Sequence, residues 1–386
     1  MAATAERKPE ANSIFQQAVA TTLRENGELG MQVAVYLDGE QVVDVWGGIA
    51  DETTGRAVDG DTLFPSFSVI KATTATALHL QAERGLIEYD APIARYWPEF
   101  AAHGKDTATV RDALSHRLGI PYMPEGVTPE LMSNYDWMVD QLANMKPIFT
   151  AGTQNAYMCY TFGWVVAECV RRTDPKHRPY STFVQEEICA PLGMTDLWIG
   201  IPEEAEPRVA RLKNAPPLPL PADAPILRAM PPQVGATEEV FGRSDMRRGC
   251  IPGAHGIMNA RSSARLFAML ANGGELDGVR LLSEDRVKTF STPRPDTDQP
   301  DTVLGMAIRM GTAGLWVGGV KDPKYPFRLA GLNPHTVFHP GAGGAIAWAD
   351  PDARLAVAIC HNRMVHNPTV TFKPIQAAVE QVFGVV

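Results

Sequence analysis

The sequence predicts a mixed α+β fold: one antiparallel sheet assembled from both ends of the chain, with a mainly helical domain inserted between the two halves. Three observations carry this. The stretch MQVAVYLDGEQVVDVWGGIAD reads as two strands around an Asp38-Gly39 turn. The middle of the chain shows helical apolar spacing broken by Pro and Gly, with few alternating runs. Strands return only late, before a last helix. Strands and helices so segregated point to an antiparallel sheet rather than the alternation of a parallel one. Residues 1–89 and 253–386 are therefore assigned to a discontinuous α/β domain and residues 90–252 to a mainly helical one.

Taken in order, residues 11–26 carry helical spacing ahead of the hairpin. The stretch Thr62–Leu86 follows, with a long apolar-periodic helix beginning near Ser68 and closing at Gly85, which suits a left-handed C-cap. Within the helical domain, residues 215–233, APPLPLPADAPILRAMPPQ, are too Pro-rich for helix or central strand and are expected to form an irregular surface excursion or a lid. The segment NARSSARLFAMLANGG has a helical apolar face ending in a glycine pair. Strands are predicted over 303–310, 343–349 and 354–362, the last two joined by Asp350-Pro351-Asp352, and a helix over 373–383. No internal repeat is visible.

At 386 residues and 45% hydrophobic content the chain can bury a sizeable core. A net charge of −9 argues against nucleic acid or an anionic membrane as its partner. Five cysteines with no C-x-x-C spacing read as reduced thiols. The first residues lack the apolar core of a secretory signal, and no apolar run reaches the ~18 residues of a membrane span, so a cytoplasmic location is expected.

Ser68 precedes Lys71 by three residues, an S-x-x-K motif that places hydroxyl and amine on one helix face. A serine is a weak nucleophile until a base takes its proton, and a lysine kept neutral by burial can be that base. Unpaired N–H groups at the helix start would stabilise the oxyanion formed on attack at a carbonyl. Tyr157, at the mouth of an apolar helix, can relay a proton if a lysine stabilises its phenolate; taken alone it reads as a core tyrosine. His339-Pro340-Gly341-Ala342-Gly343-Gly344 reads as a Gly-rich hairpin turn, whose glycines would also admit a substrate close to the backbone, with the Ala342 N–H as a second oxyanion donor.

In this order and spacing, Ser68-Val69-Ile70-Lys71, Tyr157-Met158-Cys159 and His339-Pro340-Gly341 resemble the S-x-x-K, Y-x-N and K-T-G or H-x-G motifs of the serine β-lactamase and penicillin-recognising superfamily, with most likeness to class C β-lactamases and family VIII carboxylesterases. VRDALSHRLGIP, APLGMTDLWIG and ANGGELDGVRLLSEDRV extend the likeness along nearly the whole chain. The resemblance implies an antiparallel sheet flanked by helices, a helical domain, and an active site in the cleft between them. It implies Ser68 as nucleophile, Lys71 and Tyr157 as shared general base and acid, and the backbone N–H groups of Ser68 and Ala342 as oxyanion hole. His339, Gly341 and Cys159 fall at substrate-binding positions, and His116 reads as structural. Two residues depart from the lactamase pattern: Cys159 replaces an amide-holding Asn, and a neutral His339 replaces a carboxylate-holding Lys.

The expected function is a serine carboxylesterase acting on small carboxylic esters through an acyl-enzyme on Ser68, without metal or other cofactor. Its partners are then an ester acyl donor and water, or an alcohol or amine acceptor if it is an acyltransferase. A β-lactamase or D-aminopeptidase, and a binding protein that keeps the fold, are the alternatives. The nine histidines show no metal-binding spacing. Trp46, Trp164, Trp198, Trp316 and Trp348 are candidates for pocket walls, with Trp348 first.

Overall fold

The computed structural model describes residues 2–385. The described residues form twelve strands: β1 Gly30–Leu37, β2 Glu40–Asp51, β3 Arg56–Ala57, β4 Phe64–Phe67, β5 Leu197–Ile199, β6 Gly256–Met258, β7 Glu275–Leu276, β8 Val279–Arg280, β9 Trp316–Val317, β10 Val337–Pro340, β11 Ile346–Asp350 and β12 Leu355–His361. Five longer helices frame them: α1 Ala2–Glu25, α2 Ile70–Glu83, α3 Thr161–Thr173, α4 Ala260–Ala271 and α5 Lys373–Phe383.

The main sheet has the order β3-β2-β1-β12-β11-β10-β9, so a block of strands from each chain end meets at the β1–β12 pair in one antiparallel sheet, as the sequence predicts. Its first hairpin turns at Asp38 and Gly39, both at positive φ (51° and 83°), the two-residue turn that matches strand twist. The faces follow from side-chain alternation. Arg261 of α4 pairs with Asp44 and stacks over Trp46, whereas α1 sets Val19 and Leu23 against Gly47, so α4 and α1 cover opposite faces. The α2 helix ends at Arg84 and Gly85 (φ 72°), with the Leu86 N–H returning to the Gln81 carbonyl.

Three expectations need correction. Residues 303–310 form no strand: the Asp301 carboxylate accepts the N–H groups of Val303 and Leu304, and Gly305 (φ 68°) completes a turn there. The helical middle contains one strand, β5, which joins β4 and β6 in a second, three-stranded sheet. The Pro-rich segment is irregular, but helical turns form at Ile226–Ala229, with Pro225 as its N-cap and no proline inside it, and at Pro232–Val234, which starts on a proline. The five cysteines are free thiols, and no described helix is long and apolar enough to cross a membrane.

Candidate active site

Strand β4 delivers Ser68. Phe67 ends the strand at φ 48°, a left-handed conformation that a bulky residue adopts only when held there, and its ring packs 5.1 Å from that of Phe241. The chain thereby turns sharply, leaving Ser68 one residue ahead of the Val69 N-cap of α2, and Lys71 in the first helical turn.

Lys71 is fully buried, and its Nζ has three partners: Ser68 Oγ at 2.9 Å, the Cys159 carbonyl at 2.6 Å and the Gly253 carbonyl at 2.5 Å. Burial draws its pKa down to about 7, with no carboxylate to hold the ammonium. In the neutral amine, two carbonyls fix the two N–H bonds, which leaves the nitrogen lone pair directed at the Ser68 hydroxyl. The Gly253 carbonyl is placed by Thr74, whose hydroxyl donates to the Pro252 carbonyl at 2.7 Å. It is also placed by Gly163, where a Cβ would lie 1.9 Å from the Gly253 nitrogen.

Tyr157 is carried by a segment anchored at three successive amides. Ala156 N–H donates to the His116 carbonyl, Tyr157 N–H to Asp301 Oδ1 at 2.9 Å, and Met158 N–H to His116 Nδ1 at 2.9 Å. Asp301 is itself buried against Arg294 at 2.9 Å. The His116 ring stacks between Tyr157 and Phe162, at 4.6 and 4.7 Å, so the residue read as structural supports the Tyr157 ring directly. Lys71 Nζ sits 5.2 Å from the Tyr157 ring centre. Burial raises the phenol pKa, and the nearby Ser68 hydroxyl and Trp316 indole offset part of the rise.

Strand β10 and its turn close the site. Gly341 packs so tightly on β4 that a Cβ would sit 2.4 Å from the Ser66 carbonyl oxygen, which brings Ala342 beside the loop that carries Ser68. Neither the Ser68 nor the Ala342 amide donates to an acceptor among the described residues, so both N–H groups are available to an incoming oxyanion. His339 is buried and its Nδ1–H donates to the Pro340 carbonyl at 2.8 Å, which makes Nε2 an acceptor with no partner. Burial and the nearby Lys71 keep this imidazole neutral. Cys159 enters through its carbonyl; burial pushes its thiol up to about 12.

Trp348 does not belong to this site. Its register partner is Val357, which stands on the α1 face of the sheet, and the residue lines a small cavity there with Leu329 and with Gln376 and Val379 of α5. His339 stands on the opposite face, aligned with Ala347 and Ala358. The tryptophan that reaches the centre is Trp316, whose ring lies 5.8 Å from that of Tyr157 and 6.3 Å from that of His339. Gly253, Thr74, Asp301 and Arg294 escaped sequence reasoning. The Pro252-Gly253 pair marked only a domain boundary there, and nothing in spacing singles out the others.

The sequence model of the family described as Beta-lactamase matches residues 13–381. The chain is 34% identical over 352 residues to the Esterase/beta-lactamase LipL of Mycobacterium tuberculosis, covering 87% of this chain and 77% of LipL. A family VIII carboxylesterase crystal structure superposes with a TM-score of 0.87 at 31% identity, covering 96% of this chain and 97% of that one. A penicillin-binding protein homologue from Caulobacter crescentus superposes with a TM-score of 0.86 at 32% identity, over 97% and 98% of the two chains.

Proposed function

The chain belongs to the beta-lactamase family, and on that premise we propose that it is a serine carboxylesterase acting on small, neutral carboxylic esters through an acyl-enzyme on Ser68. The observation that carries this reading is the Lys71 amine, buried, drawn down to about 7 and hydrogen-bonded to Ser68 Oγ at 2.9 Å. Ser68 Oγ attacks the ester carbonyl while its proton passes to Lys71. The carbonyl oxygen takes up the negative charge between the Ser68 and Ala342 N–H groups. On collapse the C–O bond to the alcohol breaks, Tyr157 protonates the departing alkoxide, and Lys71 returns its proton to Tyr157. Water then attacks the acyl-enzyme by the same route, releasing the acid and restoring Ser68.

Esters are favoured over β-lactams because the third motif presents a neutral, buried imidazole at His339, with no cation to receive a lactam carboxylate. The Cys159 thiol likewise offers no amide to hold the lactam side chain. The family VIII carboxylesterase supports the same choice, while LipL carries both esterase and beta-lactamase in its name.

The test is a panel of p-nitrophenyl esters of rising chain length run beside nitrocefin, with and without an added alcohol. Short-chain esters are expected to dominate in kcat/KM. Ser68→Ala is expected to lose at least about a thousandfold in kcat with the fold intact, and a fluorophosphonate to label Ser68 alone by intact mass. Equal turnover of nitrocefin returns the assignment to a lactamase, preferential ester formation with the alcohol to an acyltransferase, and near wild-type turnover by Ser68→Ala ends the mechanism.

A further inference from the structure

The indole of Trp316 is held with unusual firmness for a residue at the edge of a sheet. The turn before it packs against both helices of the site: at Gly314 (φ 85°) a Cβ would meet the Ala75 Cβ of α2 at 3.0 Å and the Phe162 ring of α3 at 3.2 Å. The neighbouring Ala313 carbonyl is bonded to His79 Nε2 at 2.9 Å, two turns along α2 from Lys71. One helix therefore positions both the amine and the tryptophan. Phe327 and Phe338 flank the indole at 5.1 and 5.9 Å, and the ring meets Tyr157 edge-on, at 79°.

Trp316 is 2% exposed, and its Nε1 is buried with no hydrogen-bond acceptor. The indole N–H is a donor only, and a buried donor left without an acceptor costs about 1–3 kcal/mol. His339 Nε2 is equally unpartnered, so the two are not bonded to each other. Beside the indole lies Tyr157, ring to ring at 5.8 Å, and the indole lowers the pKa of its hydroxyl.

We propose that Trp316 is a positioning residue for the departure of the alcohol: its Nε1–H is idle in the resting enzyme and donates to the Tyr157 oxygen when that oxygen becomes a phenolate. This rests on the reading of Tyr157 as the leaving-group acid. When Tyr157 gives its proton to the alkoxide, the oxygen left behind carries a negative charge in a buried site, and the indole is a fixed dipole beside it. An interaction made only at that moment accelerates the step without tightening ground-state binding. It also predicts which substrates need it. A p-nitrophenolate leaves readily without a proton, whereas an alkoxide requires one, so the contribution of Trp316 grows as the leaving group becomes poorer.

The experiment compares kcat/KM for p-nitrophenyl butyrate and ethyl butyrate, which share one acyl group, in wild type, Trp316→Phe, Tyr157→Phe and Phe327→Leu. Trp316→Phe keeps a ring and removes the N–H; it is expected to lose about tenfold more on the ethyl ester than on the p-nitrophenyl ester. Tyr157→Phe should discriminate in the same direction and more strongly. Phe327→Leu disturbs the packing of the indole without removing its N–H and should lower both substrates equally. Equal losses on both esters in Trp316→Phe, or the same discrimination in Phe327→Leu, overturn the role of Trp316 while leaving that of Tyr157 in place. Absence of discrimination in Tyr157→Phe overturns both. Because each variant is scored by a ratio on one preparation, partial unfolding does not affect the outcome.

Discussion

Gly163 and Gly253 meet backbone to backbone: a Cβ added to Gly163 would lie 1.9 Å from the Gly253 nitrogen, and one added to Gly253 would lie 2.8 Å from the Gly163 nitrogen. Their approach lets the α3 helix come close enough for the Gly253 carbonyl to reach Lys71. Gly163→Ala should therefore act twice. Overpacking is expected to cost about 1–3 kcal/mol or more, seen as a lower Tm. The displaced carbonyl should also reduce kcat of the folded fraction at least about tenfold. A lower Tm with unchanged kcat would mean that the carbonyl is not needed to aim the amine.

The lowered pKa of Lys71 has consequences of one sign for activity and stability. The base form accumulates as pH rises through about 7, so kcat/KM should climb with an acid limb centred near that pH, and Lys71→Arg, which stays protonated, should lose at least about a hundredfold. Between about 7 and the ordinary lysine value of 10.5 the unfolded chain binds the proton that the folded enzyme does not. Stability contributed at this site therefore increases with pH across that window. Relative to Lys71→Met, the wild type should gain unfolding free energy from pH 7 to 10, measured by urea titration at each pH. A flat difference would show that Lys71 keeps its proton when buried.

Lys71 and Tyr157 should behave as one proton-handling unit, because in the proposed mechanism the phenol takes its proton back from the amine at each turnover. In a double-mutant cycle, Lys71→Ala with Tyr157→Phe is expected to cost little more in kcat than the worse single change. Additive losses would separate the two roles.

His339→Lys with Cys159→Asn should narrow the gap in kcat/KM between esters and nitrocefin. It should do so at a stability cost, because position 339 is buried and a second ammonium there faces Lys71. The Tm should fall and the acid limb of the activity profile should move to lower pH as the Lys71 ammonium is further disfavoured. An unchanged ratio in a folded variant would remove these two positions from the account of substrate choice.

What could be read from the sequence was whatever is encoded locally. The hairpin at Asp38-Gly39, the C-cap at Gly85, the helix over 373–383 and the spacing that brings Ser68 to Lys71 each depend on a few neighbouring residues. Trp348 was misplaced because alternation tells which residues share a face but not which face the site occupies; one step of parity separates Trp348 from Ala347, whose row contains His339. Residues 303–310 were misread because the Asp301 side chain captures backbone amides that a strand would have used. Gly253 acts through a carbonyl and Thr74 through a bond to main chain, and neither leaves a signature in residue type or spacing.

In the central sheet, Met31 pairs with His361, and the glycine turn that carries Ala342 rests on the loop that carries Ser68. During synthesis Ser68, Lys71 and Tyr157 all leave the ribosome well before Ala342. At ~5–20 residues per second the interval is on the order of tens of seconds. A growing chain thus holds Ser68 and Lys71 without the strand that completes their site, so under the proposed mechanism a half-made copy lacks the second N–H donor that attack on an ester requires.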